Sequence, residues 1–465
     1  MSRLLFNCTS VSLTLALPMM VFLKHNAYPL ASHEVVVIFL AIAIIGAALG
    51  AVGSLVGPMR RLPCRGIAMM LGVMFLVTLI LPSGQPVVSE GELDGLNQDL
   101  PFVLHIVLDA QIGIGGIPLE LERAPYVKRE MRGFYQENEF QLYGGAYSRF
   151  YNTTYSMRNL LNYGLKSATS EFSDGSVLLR GNDWFDRLHE QGYRISVIQP
   201  DYLRYVEHPD AGDRAVTYRL GGAIQPLSRT AVSTKDKALL IVGSCLKASR
   251  YLRPLLVDRV IPLTHLGSME MMAEVAGQVA NANRGQAIFA HILLPHGPYA
   301  FSEYCALDAD IGNWLPSKSR DAAPWRNTSE SRATRYRAYL KQVLCVQERL
   351  NDIFQVLRDR GMWEDSIIII HGDHGSRINM VPALPGTADL MTDQDYFDAF
   401  SALFAVKRPG IPGGYFDAQL PIDHLFQRMF LEGVALDDAE LENNPFVFIM
   451  GEGSMLGSTM PKRRR

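Results

Sequence analysis

Three stretches of this chain, residues 4–23, 35–57 and 66–89, contain no charged side chain. Each reaches the roughly 18 to 20 residues that a helix needs to cross about 30 Å of hydrocarbon. A helix with no polar stripe cannot rest on the surface of a soluble domain. The pattern therefore predicts transmembrane helices over about 4–23, 35–57 and 66–82. The second is rich in Gly and Ala, which suits close packing in lipid. The first, after Arg3, also has the form of a signal peptide. Arg60, Arg61 and Arg65 crowd the link between the second and third runs, and positive residues stay on the cytoplasmic side. The expectation is a multi-pass protein of the inner (plasma) membrane whose remaining chain works in a periplasmic or extracellular space. Disulfides persist in such a space; Cys305 and Cys345 are candidates for one, with Cys245 left free.

Beyond a polar linker at 89–100 the pattern changes to short apolar runs separated by amphipathic stretches. Runs at 102–108, 195–198, 286–294, 366–370 and 399–406 read as buried strands. Residues 332–360 place apolar side chains at helical spacing and stop at Gly361; 184–191 does the same before Gly192. Strands alternating with helices predict an α/β domain with a largely parallel sheet over 101–440, followed by a C-terminal tail at 441–465. With 44 Lys and Arg against 47 Asp and Glu and no basic block before the last four residues, the chain lacks the cationic footprint that a nucleic acid demands.

Ligand sites in such sheets collect at the C-terminal ends of the strands. Asp109 stands directly after the run 102–108, and Asp373 and His374 stand after 366–370, within the sequence His-Gly-Asp-His-Gly-Ser-Arg of 371–377. His296 lies in Leu-Leu-Pro-His-Gly-Pro-Tyr, after 286–294. Two carboxylates and an imidazole suit a divalent metal with an open position. An Asp after a strand is more often a turn or capping residue, so the weight lies in three strand ends carrying such groups together.

Taken in order, Asp109, a Thr/Ser-rich turn into a helix, His296 and the Asp-His-Gly of 373–375 resemble the sulfatase-like branch of the alkaline phosphatase superfamily. More narrowly they resemble its membrane-anchored phosphoethanolamine transferases and lipoteichoic acid synthases. In that family the nucleophile sits in a stretch of the form A-Y-x-x-x-x-x-[CST]-x-x-S-x-x-x-L-L, which residues 146–161 follow. The resemblance implies an alkaline phosphatase-like fold, Thr153 as nucleophile and metal ligand with Thr154 as runner-up, and Asp109, Asp373 and His374 as the other ligands. It also implies His296 holding the phosphate or protonating the leaving group. One divalent ion is expected, zinc or manganese ahead of calcium. Thr-Thr-Tyr-Ser-Met stands where sulfatases have C/S-x-P-S-R, the residue after Asp109 is Ala110 rather than a second aspartate, and 376–384 has no histidine. The first two departures point away from sulfate-ester hydrolysis and toward transfer of a phosphoethanolamine or phosphoglycerol headgroup from a membrane lipid to a glycan or glycolipid, and the missing histidine speaks against a second metal. A phosphodiesterase or sulfoester hydrolase and a catalytically silent envelope-assembly protein are the alternatives. The polar, aromatic segments 180–235 and 304–332, with Tyr202, Tyr205, Trp314 and Trp325, are expected to face the acceptor.

Overall fold

The computed structural model describes residues 87–90, 96–164, 169–173, 176–210, 212–218, 231–233, 236–237, 240, 266–317, 327–431, 445–451 and 454–463. The three apolar runs fall outside these residues apart from a few at the end of the third. Among the described residues no helix is long and apolar enough to cross a membrane. The chain divides into two units, Met1–Gln85 with Arg219–Leu263, and Pro86–Tyr218 with Thr264–Arg465. The first lies almost wholly outside the described residues; the second carries the fold.

In chain order the second unit runs β1 (Val87–Glu90), β2 (Val103–Leu108), α1 (Ala124–Glu137), β3 (Gln141–Tyr143), α2 (Thr153–Leu161), β4 (Thr169–Ser173), β5 (Ser176–Arg180), α3 (Asp183–Glu190), β6 (Arg194–Pro200), β7 (Leu203–Arg204) and β8 (Arg214–Tyr218). It continues through α4 (Ser268–Asn281), β9 (Gln286–Ile292), α5 (Ser329–Asp359), β10 (Ile367–Gly372), α6 (Asp393–Phe400), β11 (Phe404–Lys407), β12 (Gly414–Phe416), α7 (Ile422–Phe430), β13 (Phe446–Gly451) and β14 (Ser454–Thr459). Nine strands form one sheet in the order β1-β8-β6-β9-β2-β10-β11-β3-β12. It is parallel from β8 to β10 and antiparallel at the β1 edge and around β11. This is an α/β fold with a mostly parallel sheet.

The centre of the sheet is buried on both faces, as a near-continuous apolar sequence requires. Every residue of β2 is buried. Its odd-numbered side chains Val103 and Val107 join a core cluster with Met157 and Leu160 of α2, Trp184 and Leu188 of α3, and Leu425 and Phe426 of α7. Helix α4 packs on β9 and against α5, and α5 in turn against α1. The long α5 begins at a capping box on Thr328 and ends before Gly361, whose φ of 65° supplies the left-handed stop expected there. Cys305 and Cys345 are joined in a disulfide that ties the loop after β9 to α5.

The run at 399–406 divides differently from its reading as one strand. Ala399 and Phe400 close helix α6, Ser401 makes an isolated bridge to Tyr147, and only Phe404–Lys407 form β11. A short apolar run fits a buried helix turn as well as a buried strand. Residues 441–465, read as a tail, contain the hairpin β13–β14, whose Val447 and Ile449 pack in a second core cluster with Tyr147 and Phe400.

Two histidines lie side by side in this apolar interior. His105 of β2 and His371 of β10 are almost fully buried, with their Nε2 atoms 2.8 Å apart. His371 Nδ1 donates to Gly372 O at 2.9 Å, so its Nε2 accepts the proton of His105. His105 Nδ1 is then left without a hydrogen-bond partner, and a proton added there would be an unpaired charge in the core. Burial, and for His105 also its neighbour His371, pushes His105 well below the usual histidine range, and burial takes His371 down to about 4. Because the folded values lie below the unfolded one, the stability they contribute is complete above about pH 6.5 and is lost as pH falls from there toward 4. Each ring steepens that loss by up to about 1.4 kcal/mol per pH unit. The double variant His105→Leu/His371→Leu, in which both partners become apolar, should keep near-parental stability at pH 7.5 and a flatter acid limb in urea titrations between pH 4 and 6.5. Equal acid limbs would rule the pair out as the source.

Candidate active site

The strands β9, β2 and β10 are parallel neighbours in register, Leu108 opposite Ile292 on one side and Gly372 on the other. Adjacent strands lie about 4.8 Å apart, so whatever follows Leu108 and Gly372 must meet at one rim. Asp109 follows the first and Asp373 the second. The backbone there is tightly built. A Cβ on Gly372 would lie 2.2 Å from Gln111 O, and one on Gly375 2.4 Å from Asp398 O. Both glycines of the Gly-Asp-His-Gly sequence are thus needed for close backbone approach. Ala110 takes a left-handed φ of 62°, which presents its N–H to Asp373 Oδ1 at 2.8 Å; His374 N donates to the same oxygen at 2.9 Å.

Helix α2 delivers Thr153. Asn152 caps it, its side chain accepting from Thr154 N at 3.0 Å. One turn on, Ser156 Oγ donates to the main-chain carbonyl of Asp373 and meets Ser148 Oγ at 2.8 Å. That bond fastens the start of the helix to the end of β10. Thr153 Oγ1 consequently lies 3.2 Å from His374 Nε2, while Thr154 is engaged at the cap through its N–H.

His374 Nδ1 donates to Gly375 O at 2.8 Å, which leaves Nε2 with its lone pair toward the site. That atom lies 3.1 Å from Asp373 Oδ2 and 3.6 Å from Asp109 Oδ1. Asp109 Oδ2 accepts from the Tyr202 hydroxyl at 2.9 Å. Lone-pair-bearing atoms face one another here, and Asp109 Oδ1 and Asp373 Oδ2 make no hydrogen bond. Burial, then repulsion from Asp373, drives the Asp109 carboxyl well above its ordinary range, against the pull of Arg377 and Tyr202. Burial acts the same way on Asp373 but is outweighed by His374, His291 and Arg377, which hold it down at about 2. Burial and then Arg377 lower His374 to about 3.

A further residue, hidden from the sequence reading, completes the group. His291 belongs to the apolar run of β9, and its ligand atom lies within 4.8 Å of those of Asp109 and Asp373. The Tyr205 hydroxyl meets its Nδ1 at 2.8 Å, and its Nε2 lies 3.8 Å from Asp109 Oδ2 without a hydrogen bond. A histidine interrupting an apolar strand at its C-terminal end was the available signal. Buried polar atoms left unpaired cost about 1–3 kcal/mol each. Three such atoms converging, two of them carboxylate oxygens, are the donor set of a divalent cation. The residues fit a metal.

Other expected residues fall differently. His296, between two cis prolyl bonds, places Nδ1 2.8 Å from Gly297 O, and its charge depresses both His291 and His374. Tyr202 and Tyr205, expected to face an acceptor, instead support Asp109 and His291. Trp314 is 3% exposed, its indole donating to Asp308 O at 3.0 Å, because a ring of that size stabilises the loop by packing rather than by display. Trp325 lies outside the described residues.

Residues 186–399 match the family model Sulfatase. That segment includes His291, His296, Asp373, His374 and Arg377; Asp109 and Thr153 precede it. The match spans somewhat less than half of the chain and makes this segment similar to the sulfatases, a class of enzymes whose members use a metal ion. No curated protein matches it. Among solved structures it is similar to the phosphonate monoester hydrolase of Agrobacterium radiobacter, at 14% identity over 71% of this chain and 73% of the other, with a TM-score of 0.44. It is also similar to the C-terminal periplasmic domain of EcEptC from Escherichia coli in complex with Zn, at 9% identity over 75% and 85%, with a TM-score of 0.39.

Proposed function

We propose that this site transfers a phosphoryl-linked headgroup through Thr153, with a membrane phospholipid as donor and an envelope glycan or glycolipid as acceptor. The observation that carries the reading is the position of Thr153 Oγ1, 3.2 Å from His374 Nε2 at the N-terminus of α2. A hydroxyl is thereby brought to a carboxylate-imidazole cluster from distant parts of the chain. Asp109, Asp373, His374 and Thr153, joined by His291, would hold one divalent ion. When bound, such an ion supplies Lewis-acid charge that lowers the pKa of a bound hydroxyl and offsets negative charge on phosphorus.

The chain's own groups do the rest. The helix N-terminus behind Thr153, with a partial charge of about +0.5, favours the phosphate oxygens. Thr153 Oγ attacks phosphorus as its proton passes to water, the P–O bond to the lipid alcohol breaks, and that alcohol takes a proton from His296. Thr153 is left esterified to the phosphate, which still carries the headgroup alcohol. An acceptor hydroxyl then attacks the same phosphorus, Thr153 Oγ departs and is reprotonated, and His296 recovers its proton from the acceptor. A threonine cannot be converted to the formylglycine of the main sulfatase class, which favours phosphorus over sulfur.

The uncharged runs and the arginine-rich link support a membrane anchor with this unit outside the cytoplasm, and the Cys305–Cys345 disulfide suits an oxidising space. A reporter fused after Arg465 that worked only in the cytoplasm would overturn that placement. The function is tested by incubating the purified full-length chain with headgroup-labelled phospholipid and a glycolipid fraction, then following label and intact mass. Label passing through a covalent adduct on the peptide containing Thr153 to the glycan is the expected result. Label released only to water would make the protein a phosphodiesterase, and no adduct would remove Thr153 from the reaction.

A further inference from the structure

The loop after β10 carries one more charged group, Arg377, three residues beyond His374. Its φ of 58° lies in the left-handed region that a side chain as large as arginine seldom adopts. Two bonds hold it there. Its N–H donates to Asp398 O at 2.7 Å, and its Nε donates to Tyr151 O at 2.9 Å, two residues before Thr153. The guanidinium is therefore fastened to the segment that delivers the attacking hydroxyl.

Two buried arginines of this unit have a buried carboxylate as partner: Arg149 with Asp423 at 3.0 Å, and Arg332 with Asp398 at 2.8 Å. Arg377 has none among the described residues, although its charge lowers Asp109, Asp373 and His374 alike. The Nε bond to a carbonyl leaves the fork of Nη donors, which matches two oxygens of a tetrahedral anion. The site has use for one. At the arginine position of the C/S-x-P-S-R pattern this chain has Met157, fully buried in the core cluster beneath α2.

The geometry points to Arg377 as the residue that grips the non-bridging oxygens of the tetrahedral phosphoryl group during attack by Thr153, an anion-binding role supplied from the β10 loop instead of from α2. This rests on the phosphoryl-transfer reading above, and phosphate binding tests it without turnover. The full-length, metal-loaded protein and its Arg377→Ala, Arg377→Gln and Arg377→Lys variants are titrated calorimetrically with inorganic phosphate, with metal content, melting temperature, kcat and KM measured in parallel. Removing a charge-assisted donor pair should weaken phosphate binding and kcat/KM by roughly 10- to 150-fold in Arg377→Ala. Arg377→Lys should recover part of both, with metal content unchanged. Parental phosphate affinity in Arg377→Gln, which keeps an N–H for Tyr151 O but no charge, would overturn the assignment in favour of a positioning role. So would losses that track metal content or melting temperature alone. If Thr153→Ala stays active while phosphate binding still requires Arg377, the nucleophile reading fails and this inference stands.

Discussion

Thr153→Ala should lower headgroup transfer by about 10⁴-fold or more, with no phosphoryl adduct detectable by intact mass. The fold should survive. Thr153 is 8% exposed and its hydroxyl makes a single bond, to His374 Nε2, so its removal costs about 1 kcal/mol and a few degrees of melting temperature. The cap of α2 belongs to Asn152 and is untouched. Turnover within tenfold of the parent would shift the nucleophile to Thr154, whose own alanine variant then becomes the test.

Asp373→Asn should separate the ligand cluster from the scaffold. Asparagine Oδ1 can still accept from Ala110 N and His374 N, so the turn after β10 keeps its bonds. The other oxygen, which lies 3.1 Å from His374 Nε2, becomes an amide donor and can no longer face a cation. Bound metal should fall from about one equivalent to a small fraction after dialysis, and activity should fall with it. In a chelator the variant should melt no lower than the parent, because a neutral side chain there relieves the repulsion that raises the Asp109 carboxyl. A variant that keeps a full equivalent of metal would take Asp373 out of the ligand set. One that unfolds in the chelator would make its role structural.

The acidic and imidazole groups at the ends of β2 and β10 were legible because each follows directly on a buried strand whose apolar sequence is unmistakable. The close backbone packing that Gly372 and Gly375 allow was legible only as a short motif. His291 was not, since an imidazole inside an apolar strand reads the same whether it supports the core, as His105 does, or faces the rim. Tyr202 and Tyr205 suggested display to an acceptor because their segment is polar and turn-rich. The fold instead turns both inward to Asp109 and His291. The short strands β1, β3, β8 and β12 carry too few residues for a period to show, and they are specified by the neighbours they pair with.

By itself the sequence determined the uncharged amino-terminal runs, the alternation of buried strands and helices, and the residue types at the strand ends, all of which depend on neighbours within a turn or a strand. Tertiary structure alone decided that β9, β2 and β10 lie side by side, that Ser156 fastens α2 to the carbonyl of Asp373, and that Arg377 reaches back to Tyr151. Those contacts join positions far apart in the chain, as between Ser156 and Asp373, which are separated by 217 residues. Strand order is fixed by burial and hydrogen bonding across the whole sheet, and no local pattern encodes it.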